Sequence, residues 1–545
     1  MALAAMVLLN YVTSFALFSP PAVLTSIATD LDAVDKQTWI QDSLLIVQAV
    51  LCPLVSLAAD TFHARKTLLV STLLVGMIGA AIAPGSQSVQ RLIAAQALVG
   101  FAFGSLALGY SIPSEIVPRK MRPLAQAVMN MSSALGGISG PLIIGALTRA
   151  NAHAGWRNFF WIEMGLWGTA ALGILFGYKP PKHDRDETHG TISLWEKILY
   201  LDPIGFFLYA AGASLLITGL DLGGGLYSWT DRRVLVTLIL GLVALLGFAL
   251  FEWKGTRKGF FNHDLFTGTN KSGRTFAICI ILIIVEAGLV FSFTIFYPIM
   301  TAILFETDPF LIVARQQPWW IAAFASCVVW AIIGTKLRRV REPLAAGLFI
   351  FTCGTIGFAT IQPGDGLNAL AFAALNGVGF GAALIFIVTA IQYAAPHHLI
   401  ATVTALTVST RAMGAAVFTA ICGAGFGDKL RQTLPSYVGK AVLSAGLPQD
   451  SLAPFIGALT AHDFSALFSI PGVTNEIVTA GTTALKQAYA DSLRLVFIIV
   501  APFGILGCIL CFFMADFRAT MNQHIDDPLE DLKTSSLEEK VGANE

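Results

Sequence analysis

Phe276-Ala-Ile-Cys-Ile-Ile-Leu-Ile-Ile-Val-Glu286-Ala-Gly-Leu-Val-Phe-Ser-Phe-Thr-Ile-Phe296 carries one charged residue, Glu286, in the middle of an otherwise uncharged, strongly apolar run. A helix needs about twenty such residues to cross the hydrocarbon of a bilayer. Strands that cross a membrane read instead as alternating segments of about ten residues. Inside lipid the backbone must satisfy its own hydrogen bonds, so this run reads as a helix through a membrane.

Similar runs recur on both sides of it. They place helices at roughly 2–27, 39–59, 67–84, 91–113, 123–147 and 158–178, then 203–220 and 233–252. Six more fall near 275–304, 317–335, 343–361, 367–392, 401–426 and 493–514. The expected fold is an all-α membrane protein of two six-helix bundles with two helices inserted between them, about fourteen crossings in all. Composition agrees: of 545 residues, 55% are hydrophobic and 12% charged, with a mean hydropathy of +0.71. A soluble protein carries about a quarter charged residues. The first run ends in Pro20-Pro21 with no Ala-x-Ala site, so it reads as a span and not as a cleaved leader.

The boundaries follow. Residues 1–178 form the first bundle, 179–272 a linker holding the two inserted helices, and 273–514 the second bundle. Lys and Arg collect in alternate connections: Arg65-Lys66, Arg119-Lys120-Arg122, Lys179 to Lys197, Lys254 to Arg274, and Lys336 to Arg339. Such connections face the cytoplasm. The stretch 427–492 is then external, with short surface helices expected at Ser465 to Ile470 and Ile477 to Tyr489. Residues 515–545 are polar and acidic (Asp526, Asp527, Glu530, Asp531, Glu538, Glu539) and read as a disordered cytoplasmic tail.

Several function classes drop out. The net charge is zero, which leaves no basic field for nucleic acid. There is no phosphate-binding Gly-rich loop for ATP. No nucleophile–base constellation for an enzyme is evident. His397-His398 lack metal-ligand spacing, so no metal or other cofactor is expected. The seven cysteines lie in or beside apolar runs and read as core-filling thiols. Trp156, Trp195, Trp229 and Trp319-Trp320 fall near span ends, where an interfacial belt is expected.

An internal repeat supports the six-two-six grouping. Ala97-Leu-Val-Gly-Phe-Ala-Phe-Gly104 matches Ala374-Leu-Asn-Gly-Val-Gly-Phe-Gly381 at an offset of 277, and Ser133-Ala-Leu-Gly136 matches Arg411-Ala-Met-Gly414 at 278. Repeated halves of this kind build transporters whose site lies between them at mid-membrane.

Two motifs and a longer resemblance sharpen the reading. Ser56-Leu-Ala-Ala-Asp60-Thr-Phe-His-Ala-Arg65-Lys66 resembles the signature loop of the major facilitator superfamily, G-x-x-x-D-[RK]-x-G-[RK]-[RK]. Asp60 and the basic pair Arg65-Lys66 carry the likeness; Ser56 and His63 stand at glycine positions and Thr61 at the first basic one. The resemblance implies a cytoplasmic latch that bridges the two halves. Gly136-Gly-Ile-Ser-Gly140-Pro141-Leu-Ile-Ile-Gly145 resembles the antiporter motif G-x-x-x-G-P-x-x-G-G, with Ile144 at one glycine position. Small residues let helices approach closely, and proline removes a backbone donor. Beyond these, the chain resembles the fungal trichothecene efflux pump family. The likeness rests on Leu201-Asp202-Pro-Ile-Gly-Phe-Phe-Leu-Tyr209, Gly223-Gly-Gly-Leu-Tyr-Ser-Trp229, Ser409-Thr-Arg411-Ala-Met-Gly414 and Pro471-Gly-Val-Thr474 through Val496. It implies extrusion of hydrophobic small molecules, such as a toxin, secondary metabolite or drug, driven by proton influx.

Intramembrane charge points to the mechanism independently, because such groups are costly and mark ion or substrate paths. Glu286 and Arg411 lie near mid-membrane, and Glu163 lies toward the outer third of its helix. Carboxyl groups in apolar surroundings bind protons more readily than in water and can carry them across. Asn10 stands at offset 276 from Glu286, as an uncharged counterpart in the first half. Drug antiporters resembling this chain carry an arginine four residues before the motif glycine; here Gln96 precedes Gly100, and Arg411 is the candidate to take over its role. The expected protein is a proton-coupled exporter. The alternatives are a siderophore or nutrient importer of the same fold, or a membrane sensor that does not transport. A monomer in the plasma membrane is expected, with a vacuolar or vesicle membrane as the alternative site.

Overall fold

The computed structural model describes residues 1–33, 36–151, 153–180, 199, 201–223, 227–255, 265, 272–396, 399–460 and 464–526. Trp195, the basic residues Lys182 to Lys197, His397-His398 and residues 527–545 lie outside them. In the first half α1 (Ala2–Phe18) is broken at Pro20-Pro21 before α2 (Leu24–Asp30). There follow α3 (Thr38–Thr61), α4 (Arg65–Ile82), α5 (Val89–Phe103), α6 (Leu106–Ile116), α7 (Arg122–Ala150) and α8 (Gly155–Gly177). A hairpin of α9 (Pro203–Asp221) and α10 (Arg232–Lys254) comes next. The second half holds α11 (Ser272–Leu304), α12 (Pro309–Ala314), α13 (Gln317–Leu337), α14 (Arg341–Phe358), α15 (Gly366–Ala394), α16 (Ile400–Ser444), α17 (Leu452–Thr460), α18 (Phe464–Ser469) and α19 (Asn475–Cys511).

Among the described residues thirteen helical stretches are long and apolar enough to cross a membrane. The eighteen-residue α14 is the remaining crossing. Arg315, just before α13, donates to the carbonyl of Gly366 at the start of α15 at 3.2 Å. Two successive helices that begin at one end of the bundle require a helix returning between them. Among the described residues this gives fourteen helices placed to cross a membrane.

The repeat glycines explain why the two bundles look alike. A Cβ at Gly100 would lie 2.9 Å from the Leu44 carbonyl of α3, and one at Gly377 would press on the Trp319 backbone of α13. A Cβ at Gly136 would meet the α1 backbone at Tyr11 and Phe15, and one at Gly414 would lie 3.2 Å from Ile284 Cα of α11. In each half, then, bare glycine lets the equivalent helices touch backbone to backbone. Between halves, α7 packs on α13 and α15, and α3 packs on α16. The α9–α10 hairpin closes the side where α3 meets α16. Tyr209 donates to the Ala49 carbonyl at 3.1 Å, and Ile217 packs with Ala49 and Ala412. The outer face of α10 (Leu235, Ile239, Leu242, Leu246, Leu250) is left exposed, as a lipid-facing helix requires.

Three expectations need correction. The thirteenth and fourteenth crossings do not stop at 426 and start at 493: α16 runs on to Ser444 and α19 begins at Asn475. These extensions pair over a small core of their own, with Val438, Val442, Phe455, Leu459, Ile477 and Leu485 buried. Polar residues on the opposite face hide them from a hydropathy reading. Thus Ile477 to Tyr489 is part of α19, whereas a short helix does form at Phe464–Ser469. Second, Trp156, Trp319 and Trp320 are no interfacial belt, being 0%, 1% and 6% exposed. Third, the start of the supposedly disordered tail is folded: Met514, Phe517 and Met521 are buried, and the Asp526 side chain is 1% exposed.

Candidate transport cavity

The two halves face each other across a narrow cavity whose unfilled space is about 870 Å³, open solvent included. The repeat sets its symmetry: Phe103 faces it from the first half and Phe380 from the second, as do Ser133 and Arg411. The walls differ in chemistry. The first half contributes Thr13, Ser14, Gln48, Tyr110, Asn130 and Ser133; the second contributes the aromatic faces of Phe291, Trp320 and Phe380.

Local sequence puts the polar wall in place. Pro113 has no N–H, so the Gly109 carbonyl lacks its usual helical partner. Asn10 Nδ2 supplies one at 3.4 Å and also donates to the Met6 carbonyl at 2.9 Å. Gln126 donates to the Tyr110 carbonyl at 2.9 Å, and Tyr110 donates to Asn130 Oδ1 at 3.3 Å. The aromatic wall is held by stacking. Trp319 lies 4.5 Å from Phe380 and 5.0 Å from Phe293, centroid to centroid, and its indole donates to Asn376 at 2.8 Å. Beside it, the Trp320 ring occupies the space where a Cβ on Gly137 would be, 2.6 Å from the nearest ring atom.

Glu286 on α11 and Arg411 on α16 both line this cavity. Arg411 Nε donates to Glu286 Oε2 at 2.8 Å. The Glu286 side chain is 1% exposed and that of Arg411 23%. Glu286 Oε1 and Arg411 Nη2 have no hydrogen-bond partner among the described residues. A buried ion pair that leaves donor and acceptor capacity open is poorly compensated, and removing either partner costs about 3–5 kcal/mol.

The other charged and polar candidates do not join this cluster. Glu163 is fully buried in α8 and accepts from the Trp167 indole at 3.0 Å, outside the cavity lining. Gln96 is 1% exposed, and neither amide atom has a hydrogen-bond partner. Asn10 ties α1 to α6 and does not line the cavity. In the antiporter-like motif, Gly136 and Gly140 seat α7 on α1, and Gly145 faces Val313 and Phe310 of α12. The cavity residues overlooked in the sequence are Gln48, Tyr110, Asn130, Trp320 and Phe380. Phe380 sat in the repeat already quoted, and its partner Phe103 marked it.

The two halves are in contact at both ends of the cavity. At the end bearing the Lys/Arg-rich connections, Arg65 pairs with Asp60 at 3.0 Å and Glu115 at 2.5 Å. These two pairs lie within the first half. The halves also pack together here: Ala401, near the start of α16, is buried in the same cluster as Ala59. His63 has φ +49°, the left-handed backbone that explains a glycine at this place in the superfamily loop. No ion pair involving Lys66 forms among the described residues. Polar contacts between the halves at this end include the Arg122 guanidinium donating to the Gln392 carbonyl at 3.5 Å and the Tyr393 hydroxyl donating to the backbone carbonyl of Arg119. The opposite end is held more lightly, by an Arg149–Asp308 pair at 3.2 Å with Arg149 59% exposed, and by Phe18 edge-on to Trp320 at 4.6 Å.

Comparison with known proteins agrees with this architecture. A trichothecene efflux pump of Fusarium sporotrichioides is 22% identical over 543 residues, covering 98% of this chain and 88% of that protein. The MFS-type transporter prx5 of Penicillium rubens is 26% identical over 452 residues, covering 82% and 80%. Among solved structures, the MFS proton:xylose symporter XylE superposes with a TM-score of 0.55 at 11% identity, covering 98% of each chain, which speaks for the fold alone. The family model described as "Fungal trichothecene efflux pump (TRI12)" matches residues 1–544. The chain is thus a multi-pass membrane transporter of small molecules with the major facilitator fold, and it belongs to the fungal trichothecene efflux pump family.

Proposed function

We propose that the protein exports hydrophobic small molecules, of the secondary-metabolite or toxin class, in exchange for protons. The basic end then faces the cytoplasm, the plasma membrane is the site of action, and one chain is the working unit. The observation that supports this most is the Glu286–Arg411 pair, set in the wall of a mainly apolar cavity with Glu286 Oε1 and Arg411 Nη2 left open. The ionised Glu286 carboxylate, held by Arg411 through Oε2, keeps Oε1 open to accept a hydrogen bond from a donor group on the substrate. A proton arriving on Glu286 takes up that oxygen and releases the substrate, and loss of the proton restores the acceptor. Proton and substrate thus compete for one carboxylate, as exchange requires. The relatives named as efflux pumps support the outward direction.

The test is flux into inside-out vesicles with an imposed pH gradient, using a hydrophobic compound that the wild-type protein accumulates. Glu286→Gln mimics the protonated form and is expected to hold the compound weakly and not to concentrate it. Accumulation by Glu286→Gln at the wild-type level would remove Glu286 from the proton path.

A further inference from the structure

After α19 the chain does not leave the protein. Ala515 N donates to Thr275 Oγ1 at 3.0 Å. Phe517 stacks near Tyr393 at 5.5 Å, and Met521 is fully buried. Up to this point the segment is seated on the second half. It then crosses to the first. The backbone N–H of Lys120 donates to the Asn522 carbonyl at 2.8 Å, and that of Arg119 to the His524 carbonyl at 2.9 Å. At its end Asp526 pairs with Arg119 at 2.6 Å and with Arg122. The side chains of Asp526 and Arg122 are 1% and 2% exposed. His524 adds a longer contact to Asp526 at 3.6 Å. The halves also touch directly around these two arginines: the Arg122 guanidinium donates to the Gln392 carbonyl, and the Tyr393 hydroxyl donates to the backbone carbonyl of Arg119.

A segment anchored on one half and hooked onto the other cannot keep both attachments when the halves separate. The anchor is apolar and buried; the hook is two backbone hydrogen bonds and a charged cluster at the protein edge. The hook is the part that opens. We propose that residues 515–526 form the bar of the cytoplasmic gate, and that Asp526 is a gating residue which must leave Arg119 and Arg122 each time the cavity opens to the cytoplasm. Breaking the pair by truncating one partner leaves a buried charge alone, so the closed state is weakened out of proportion to the single contact. The inference rests on the chain being an alternating-access transporter, and it is independent of which group carries the proton.

Cys327 lines the cavity and is fully buried, which makes it a built-in reporter of opening. Inside-out vesicles holding the full-length protein are treated with a membrane-impermeant methanethiosulfonate, and modification of Cys327 is read by peptide mass spectrometry. This readout needs neither substrate nor proton gradient, so a failure of proton coupling does not affect it. Asp526→Asn is expected to raise the modification rate about tenfold, whereas Asp526→Glu, which keeps the charge, stays near wild type. From the opposite face, in right-side-out vesicles, the Asn variant is expected to react no faster than wild type. An unchanged rate from the cytoplasmic face, or an equal rise from both faces, overturns the proposal. A second arm avoids weakening the fold: Lys120→Cys with Asn522→Cys, oxidised to a disulfide, should clamp the bar. Cytoplasmic modification of Cys327 is then expected to fall to background and to recover on reduction. A crosslinked protein that still admits the reagent from the cytoplasm sinks the gate.

Discussion

Gly137 and Trp320 show how one residue decides whether two halves can meet. The indole ring fills the space in front of a backbone without a side chain, at the crossing of α7 and α13. A methyl group there overlaps the ring, and overpacking of this kind costs about 1–3 kcal/mol. Gly137→Ala is therefore expected to slow transport severely while the protein still reaches the membrane. Gly137→Ala combined with Trp320→Leu should recover part of the rate, as read by flux in vesicles. Asn10 is a different case. It was a candidate for substrate or proton work, and the structure gives it the Gly109 carbonyl that Pro113 leaves open. Asn10→Leu strands that carbonyl in the bundle interior, a loss of about 1–3 kcal/mol. The expected outcome is a lower thermal midpoint in detergent, with the pH dependence of transport unchanged. A shifted pH profile would return Asn10 to the mechanism.

At the scale of elements, the two halves use the same glycines for the same contacts, which is why the repeat was readable in the chain. Gly100 and Gly377 sit at equivalent crossings, α5 on α3 and α15 on α13. Large residues at either should force those helices apart to a similar degree. Gly100→Leu and Gly377→Leu are each expected to abolish accumulation of folded protein, measured by size-exclusion profile of a fluorescent fusion. A normal profile for one of them would mean the halves are not packed alike. The extended α16 and α19 teach the opposite lesson. Their outer turns carry an apolar stripe that pairs with a neighbour, so they are helical without being hydrophobic enough to stand out. Residues 515–526 escaped notice for the same reason: Met514, Phe517 and Met521 are spaced apolar residues in a polar context, and their burial depends on a surface made by other helices.

For the whole molecule, sidedness is the property that ties the cavity to a direction of transport. Gln449 opens the short 3-10 turn before α17, in the stretch expected to be external, and Arg338 ends α13 at the basic end. A cysteine at Gln449 is expected to react with an impermeant maleimide on intact cells, and one at Arg338 only after permeabilisation; the reverse pattern inverts the topology. The sequence alone determined the class, the fourteen crossings, the two-bundle repeat and the pairing of Glu286 with Arg411 as the charges to watch. It did so because hydrophobicity, the cost of charge in lipid and helix periodicity are local quantities that no tertiary contact needs to supply. Only the tertiary structure decided which polar residues face the cavity. Asn10, Gln96 and Glu163 looked as suitable in the chain as Gln48 and Tyr110, because a helix wheel does not say which neighbour its polar face will meet. Tertiary structure likewise decided that Arg119 and Arg122 reach an acidic residue some four hundred positions further along the chain. Contacts between positions some four hundred residues apart are set by how the bundles close on each other, and nothing in the local pattern of either segment encodes that closure.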